Sequence, residues 1–193
     1  MSQKSVTFLT GNQTKWEIAN KIFSKYKINL LQEKFDTPEI QALSVEAVAI
    51  FSAKFGANAL GKAVIKNDVG YYIPSLNGFP GPFTKFANKW FNSQEILSLI
   101  NKSSDRKLII KDCIAYCSPG EEPVTFVHEN HCVIVEKPEG DGGSFDNIII
   151  REGQNKVQSL YSSEEMLEYW ANHLDHYHEL AKYLAKPISY NVQ

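Results

Sequence analysis

The sequence predicts an α/β protein: a mixed central sheet with flanking helices, an antiparallel lobe, and an active-site cleft between the lobes. Three observations carry this. Residues 6–68 alternate strand-like and helix-like text, which calls for right-handed crossovers and parallel pairing. Two long strand candidates then follow each other across Pro119-Gly120, a connection that suits only an antiparallel pair. A last helical region, Ser162 to Lys186, closes the chain. The 193 residues contain no internal repeat and no low-complexity linker, and read as one domain, 1–193, with enough chain to bury a substantial core.

Taken in order, Val6, Phe8 and Leu9 suit a buried strand, and Thr10-Gly11-Asn12 breaks it. Ile18, Ala19, Ile22, Phe23 and Tyr26 then fall at helical spacing. Asn12 is placed to cap that helix, and a helix start attracts anions, with Lys15 adding positive charge. Taken alone, the stretch also reads as an ordinary strand-to-helix turn. Ile28 to Phe35 reads as a second strand, Val45 to Ala59 as a helix stopping near Gly61, and "AVIKND" as a short strand ending at Asn67-Asp68. "NGFPGPF" is a turn cluster leading into the helical text "TKFANKWF" and "SQEILSLIN". "RKLIIKDCIAYCS", "PVTFVHENHCVIVEK" and "FDNIIIRE" are the later strands. In the final helical region Ser162 or Ser163 is the expected cap, with Glu164 and Glu165 in the first turn.

Composition limits the function classes. Twenty basic against 22 acidic residues give a formal charge of −2, so neither a nucleic acid polymer nor an anionic membrane is an expected partner. No apolar run approaches the ~20 residues of a membrane span. The opening "MSQKSVTFLTGN" lacks an apolar signal-type core, and an odd set of cysteines (Cys113, Cys117 and Cys132) without metal spacing fits reduced thiols used as small apolar fillers. A cytoplasmic location is the expectation.

The chemistry-bearing residues gather where the topology puts strand ends. Thr10-Gly11-Asn12 and Asp68 both stand at carboxyl ends of parallel strands, the ligand side of an open α/β sheet. Glu39, after the second strand, can approach the same crevice. Two carboxylates beside a phosphate-binding turn suit Mg²⁺ bridging a polyphosphate. The Pro- and Gly-rich loop before Lys85 can hold that lysine toward an anion, and "GDGGSFDN" offers Phe145 for stacking and Asp146 for hydrogen bonding. His173 and His176 share a helical face with His178 nearby, but a zinc site would want a better-spaced set. His128 and His131 alternate to opposite faces of their strand.

With those residues in place, the chain resembles the inosine triphosphate pyrophosphatase family over roughly Val6 to Asp146. "TFLTGNQTKWEIA" is similar to the family's strand–TGN–x–x–K–helix, which implies that Thr10, Asn12 and Lys15 bind a triphosphate. "DTPEIQ" resembles D-x-P-E-x-Q, whose Glu is a metal ligand, hence Glu39. "GFPGPFTKF" resembles the segment that places a lysine, here Lys85, near phosphate. The resemblance implies an Mg²⁺-dependent nucleoside triphosphate pyrophosphohydrolase, a homodimer, with Asp68 serving both metal and attacking water. Phe145 and Asp146 would border the base. The alternative is a nucleotide-binding protein without catalysis or with altered specificity, because the family's E-D-T-G is Asn67-Asp68-Val69-Gly70 here. The family's F-G-[WY]-D-P becomes Gly143-Ser144-Phe145-Asp146-Asn147. Of its K-N-x-x-S-H-R only His176, preceded by Asp175, is legible. With Gly143 where a stacking ring is expected, ~1–3 kcal/mol of base stacking is lost. Discrimination between inosine and the common purine triphosphates is therefore expected to be weak. Steady-state assays should show an ITP preference over GTP or ATP in kcat/KM well below about a thousandfold.

Overall fold

The computed structural model describes residues 4–38, 40–100 and 103–186. Seven strands form one mixed sheet in the order β2-β1-β3-β5-β6-β7, with β4 added to β3. The strands are β1 (Ser5–Leu9), β2 (Asn29–Glu33), β3 (Val64–Tyr72), β4 (Pro80–Gly81), β5 (Lys107–Cys117), β6 (Val124–Ile134) and β7 (Ile149–Arg151). The helices are α1 (Gln13–Ser24), α2 (Val45–Leu60), α3 (Thr84–Trp90), α4 (Ser93–Ile100), α5 (Ser163–His173) and α6 (Asp175–Ala185). Among the described residues no helix is long and apolar enough to cross a membrane.

The parallel part is β2-β1-β3, as the strand–helix alternation requires. Every later pairing is antiparallel, and β5 and β6 run eleven residues each. Alternation in β1 splits the core. Val6 and Phe8 join Ile18, Ile22 and Phe23 of α1 and Tyr177 and Leu180 of α6 on one face. Leu9 joins Val45, Ala49 and Ala53 of α2 with Cys113 and Cys117 on the other. Small residues along α2 let it lie close on the sheet; Ser44 caps its start and left-handed Gly61 ends it. A separate cluster of Ile96, Leu108, Ile110, Ile134 and Ile149 fills the antiparallel lobe. All three cysteines are free and buried, and burial pushes the Cys113 and Cys132 thiols up to about 12, so they stay protonated fillers.

Two expectations are corrected. β3 does not end at Asp68; it runs on to Tyr72, because β5 continues to pair with it through Ile109. The last helical region is two helices: Leu174 leaves helical geometry and buries its side chain with Ile18 and Tyr177, redirecting α6 onto the sheet. The break separates His173, which is exposed and stacked on Tyr169, from the buried His176.

Gly70 marks where β3 and β4 meet most closely. A Cβ there would stand 2.8 Å from the carbonyl carbon and oxygen of Gly81, both backbone atoms. Gly70→Ala should therefore destabilise the fold by about 1–3 kcal/mol, measured by urea denaturation, because the β4 backbone must shift to admit the methyl.

Candidate active site

β1 pairs with β3 only as far as Phe8↔Ile65, and β4 covers the same edge only at Tyr71 and Tyr72. Between them β3 turns an uncovered edge to a crevice of about 950 Å³, within the size range of small-molecule sites. Thr10, Gly11, Asn12 and Lys15 line it from the β1–α1 turn, Asn67 and Asp68 from β3, and Lys85 from α3. The structure thus brings together residues far apart in sequence. Glu39 lies outside the described residues, though its neighbours Thr37 and Ile40 line the same crevice.

The turn is shaped by its own side chains. Thr10 Oγ1 accepts from the Asn12 N–H at 3.1 Å, and Asn12 Oδ1 accepts from the Lys15 N–H at 3.1 Å. Those oxygens are occupied as acceptors, so the Thr10 O–H and the Asn12 amide N–H groups remain the donors for an anion. The start of α1 adds its dipole in the same place. Gly11 has no fold-level reason to be glycine: its φ is not positive, and an added Cβ would meet only the flexible Lys34 side chain at 3.6 Å.

Sequence reasoning missed Lys34, Lys66 and Asp36, which also line the crevice. The signals were present: Lys34 and Asp36 directly follow β2, and Lys66 shares a strand face with Asp68 by alternation. Among the described residues the lining carries four lysines (15, 34, 66, 85) against two aspartates (36, 68). A chain of net charge −2 therefore concentrates positive charge here. The exposed rings of Phe79, Phe86 and Trp90 also line the crevice.

Phe145 and Asp146 are not brought to this crevice. The Phe145 ring is 1% exposed, edge-on to Tyr71 at 5.2 Å and inside the core of the antiparallel lobe, so it presents no face to a base there. Asp146 lies near Arg151 and the Gly143 backbone; burial raises its pKa, and those two neighbours oppose the rise. The described residues contain no group of three or more His, Cys, Asp or Glu side chains arranged to hold a metal ion. Mg²⁺ commonly needs only one or two carboxylates plus substrate phosphates, and the oxygen donors Asp68 and Asp36, which both line the crevice, fit that mode.

The Ham1 family profile matches residues 6–175. A dITP/XTP pyrophosphatase of Methanopyrus kandleri is 37% identical over 161 residues, covering 83% of this chain and 86% of that protein. One of Methanosarcina acetivorans is 34% identical over 149 residues, covering 77% and 81%. Among solved structures, the Staphylococcus aureus Ham1 protein superposes with a TM-score of 0.75 at 22% identity over 94% of this chain and 98% of that one. A HAM1 protein from Coxiella burnetii gives 0.80 at 18% over 95% and 100%. At those identities the fold is what is shared. The profile match over most of the chain, joined to relatives above 30% identity, makes this protein a member of the Ham1 family.

Proposed function

We propose that this protein hydrolyses nucleoside triphosphates to nucleoside monophosphate and pyrophosphate, with non-canonical purine ribo- and deoxyribonucleotides as its substrates, and so cleanses the nucleotide pool. The observation that carries this is the convergence of a capped helix start, four lysines and Asp68 on one crevice. The names of the dITP/XTP pyrophosphatases to which the chain is similar support the choice of substrate.

On this reading Thr10, Asn12, Lys15 and Lys85 grip the triphosphate, and the exposed rings of Phe79, Phe86 and Trp90 are aromatic surfaces available to the base. Asp68 orients a water and accepts its proton as the water oxygen bonds to the α-phosphorus. The bond from that phosphorus to the α,β-bridging oxygen breaks, and pyrophosphate leaves with the electron pair. Asp68 and Glu39 are the residues that would hold Mg²⁺, with Asp36 close by; when bound, the cation would neutralise charge on the phosphate oxygens. The lysines hold the leaving pyrophosphate as its charge grows. A homodimer in the cytoplasm completes the reading, the location supported by three free, buried cysteines.

Two outcomes test the site. Gly11→Ala should keep stability within about 0.5 kcal/mol of the parent, since nothing in the fold needs glycine there, yet weaken triphosphate binding by calorimetry. A large loss of stability with unchanged binding would make Gly11 structural. Asp68→Asn is nearly isosteric but cannot take a proton, so the protein should fold and bind while turnover, read as pyrophosphate release, falls by ~10²–10⁴. Full recovery at high Mg²⁺ would make Asp68 a metal ligand and not the base.

A further inference from the structure

Asn67 is the joint of a polar chain that runs along one face of the sheet. Its Oδ1 accepts from Lys15 Nζ at 2.6 Å, while its Nδ2 donates to Asp112 Oδ1 and, at 3.4 Å, to the Cys113 carbonyl. Asp112 Oδ1 in turn lies 3.0 Å from His176 Nε2. That last contact is close but misaligned, for neither ring nitrogen of the buried His176 has a hydrogen bond of acceptable angle. The four residues come from α1, β3, β5 and α6. Register explains the meeting: Asp112 stands opposite Val69, two residues from Asn67, and so shares its face. Across β6 it stands opposite His128, whose ring stacks on His176 at 5.6 Å.

A carboxamide has a donor end and an acceptor end of nearly equal shape, so its neighbours decide which way it points. A carboxylate accepts only. With Asp112 at one end, the Nδ2 of Asn67 must face it, since the flipped amide would set oxygen against oxygen. The Oδ1 is thereby left facing Lys15. Because that oxygen is neutral, it holds the lysine without cancelling its charge, whereas a carboxylate at position 67 would compete with an anion for it.

We propose that Asp112 is a positioning residue for the phosphate-site lysine: by fixing the Asn67 amide it pre-places the Lys15 ammonium at the crevice. His176 of α6 packs beside the Asp112 carboxylate, its Nε2 3.0 Å from Oδ1. Asp112 itself does not line the crevice, so it acts only through Asn67. The inference rests on the reading of Lys15 as a triphosphate ligand.

A double-mutant cycle tests it. Affinity for the α,β-imido analogue of inosine triphosphate, with Mg²⁺, is measured by calorimetry for the parent, Lys15→Met, Asp112→Leu and the double variant. Asp112→Leu should weaken binding about tenfold in the parent, the scale of one charge-assisted hydrogen bond, and by less than about twofold once Lys15 is gone. Asp112→Asn, which can still present an oxygen to Asn67 Nδ2, should recover most of the loss. Equal weakening in both backgrounds, parent-like affinity of Asp112→Leu, or no recovery with Asn overturns the proposal. Should Asp112→Leu fail to fold by circular dichroism, Asn67→Ala removes the joint itself and is read in the same cycle, with the same criteria. If Lys15→Met alone binds like the parent, the phosphate reading of Lys15 is what fails, and the proposal falls through its premise.

Discussion

Much of this molecule depends on β1 stopping at Leu9 while its neighbour β3 continues to Tyr72. The Thr10 N–H makes the last link to β2, through the Glu33 carbonyl, and the chain then turns into α1. β3 is held along its whole length by β5 on one side, so it stays extended without β1 on the other. The edge of β3 from Lys66 to Val69 is thus held extended without a strand beside it, and side chains alternate from it to the two faces. Asp68 goes with the α2 side and Asn67 with the α1 and α6 side. A short strand beside a long one makes both the crevice and the fixed backbone that a positioned carboxylate needs.

The electrostatics follow from that geometry. Few of the ion pairs elsewhere in the fold carry much stability: Lys21–Glu168 and Lys54–Glu122 are exposed, and such pairs contribute about 0–1 kcal/mol. The lysines of the crevice are a different matter, since they converge from the loop after β2 and from β3, α1 and α3 on one volume and, among the described residues, outnumber the acids there. Lys15 is held by an amide oxygen, a neutral acceptor that leaves its positive charge uncancelled.

The antiparallel lobe shows the opposite treatment of charge. Arg151 is 2% exposed and lies over the Trp170 ring at 4.3 Å, with Asp146 nearby. Burial lowers the pKa of Arg151 and raises that of Asp146, and each partly offsets the other. Phe145 is buried in the core of the same lobe, edge-on to Tyr71, and does not reach the crevice.

Local sequence was enough for the elements and for the capped turn. The periodicities of Val6–Leu9 and Ile18–Tyr26, the capping oxygen of Asn12 and the stop at Gly61 are short-range effects, written in neighbouring residues. The order of strands and helices likewise predicted a mixed sheet and sent Thr10, Asn12 and Asp68 toward one end of it, while the Pro- and Gly-rich loop pointed Lys85 to an anion. Local text did not show that β3 passes through Asp68, since its extension is set by pairing with β5 some forty residues later. Nor did it show the break at Leu174, where no Pro or Gly interrupts the pattern and burial against α1 decides the geometry. The link from Lys15 through Asn67 to Asp112 joins three elements, with His176 of a fourth beside it. Hydrogen bonds depend on angle and ångström-scale distance between groups far apart in the chain, and only the folded register supplies those.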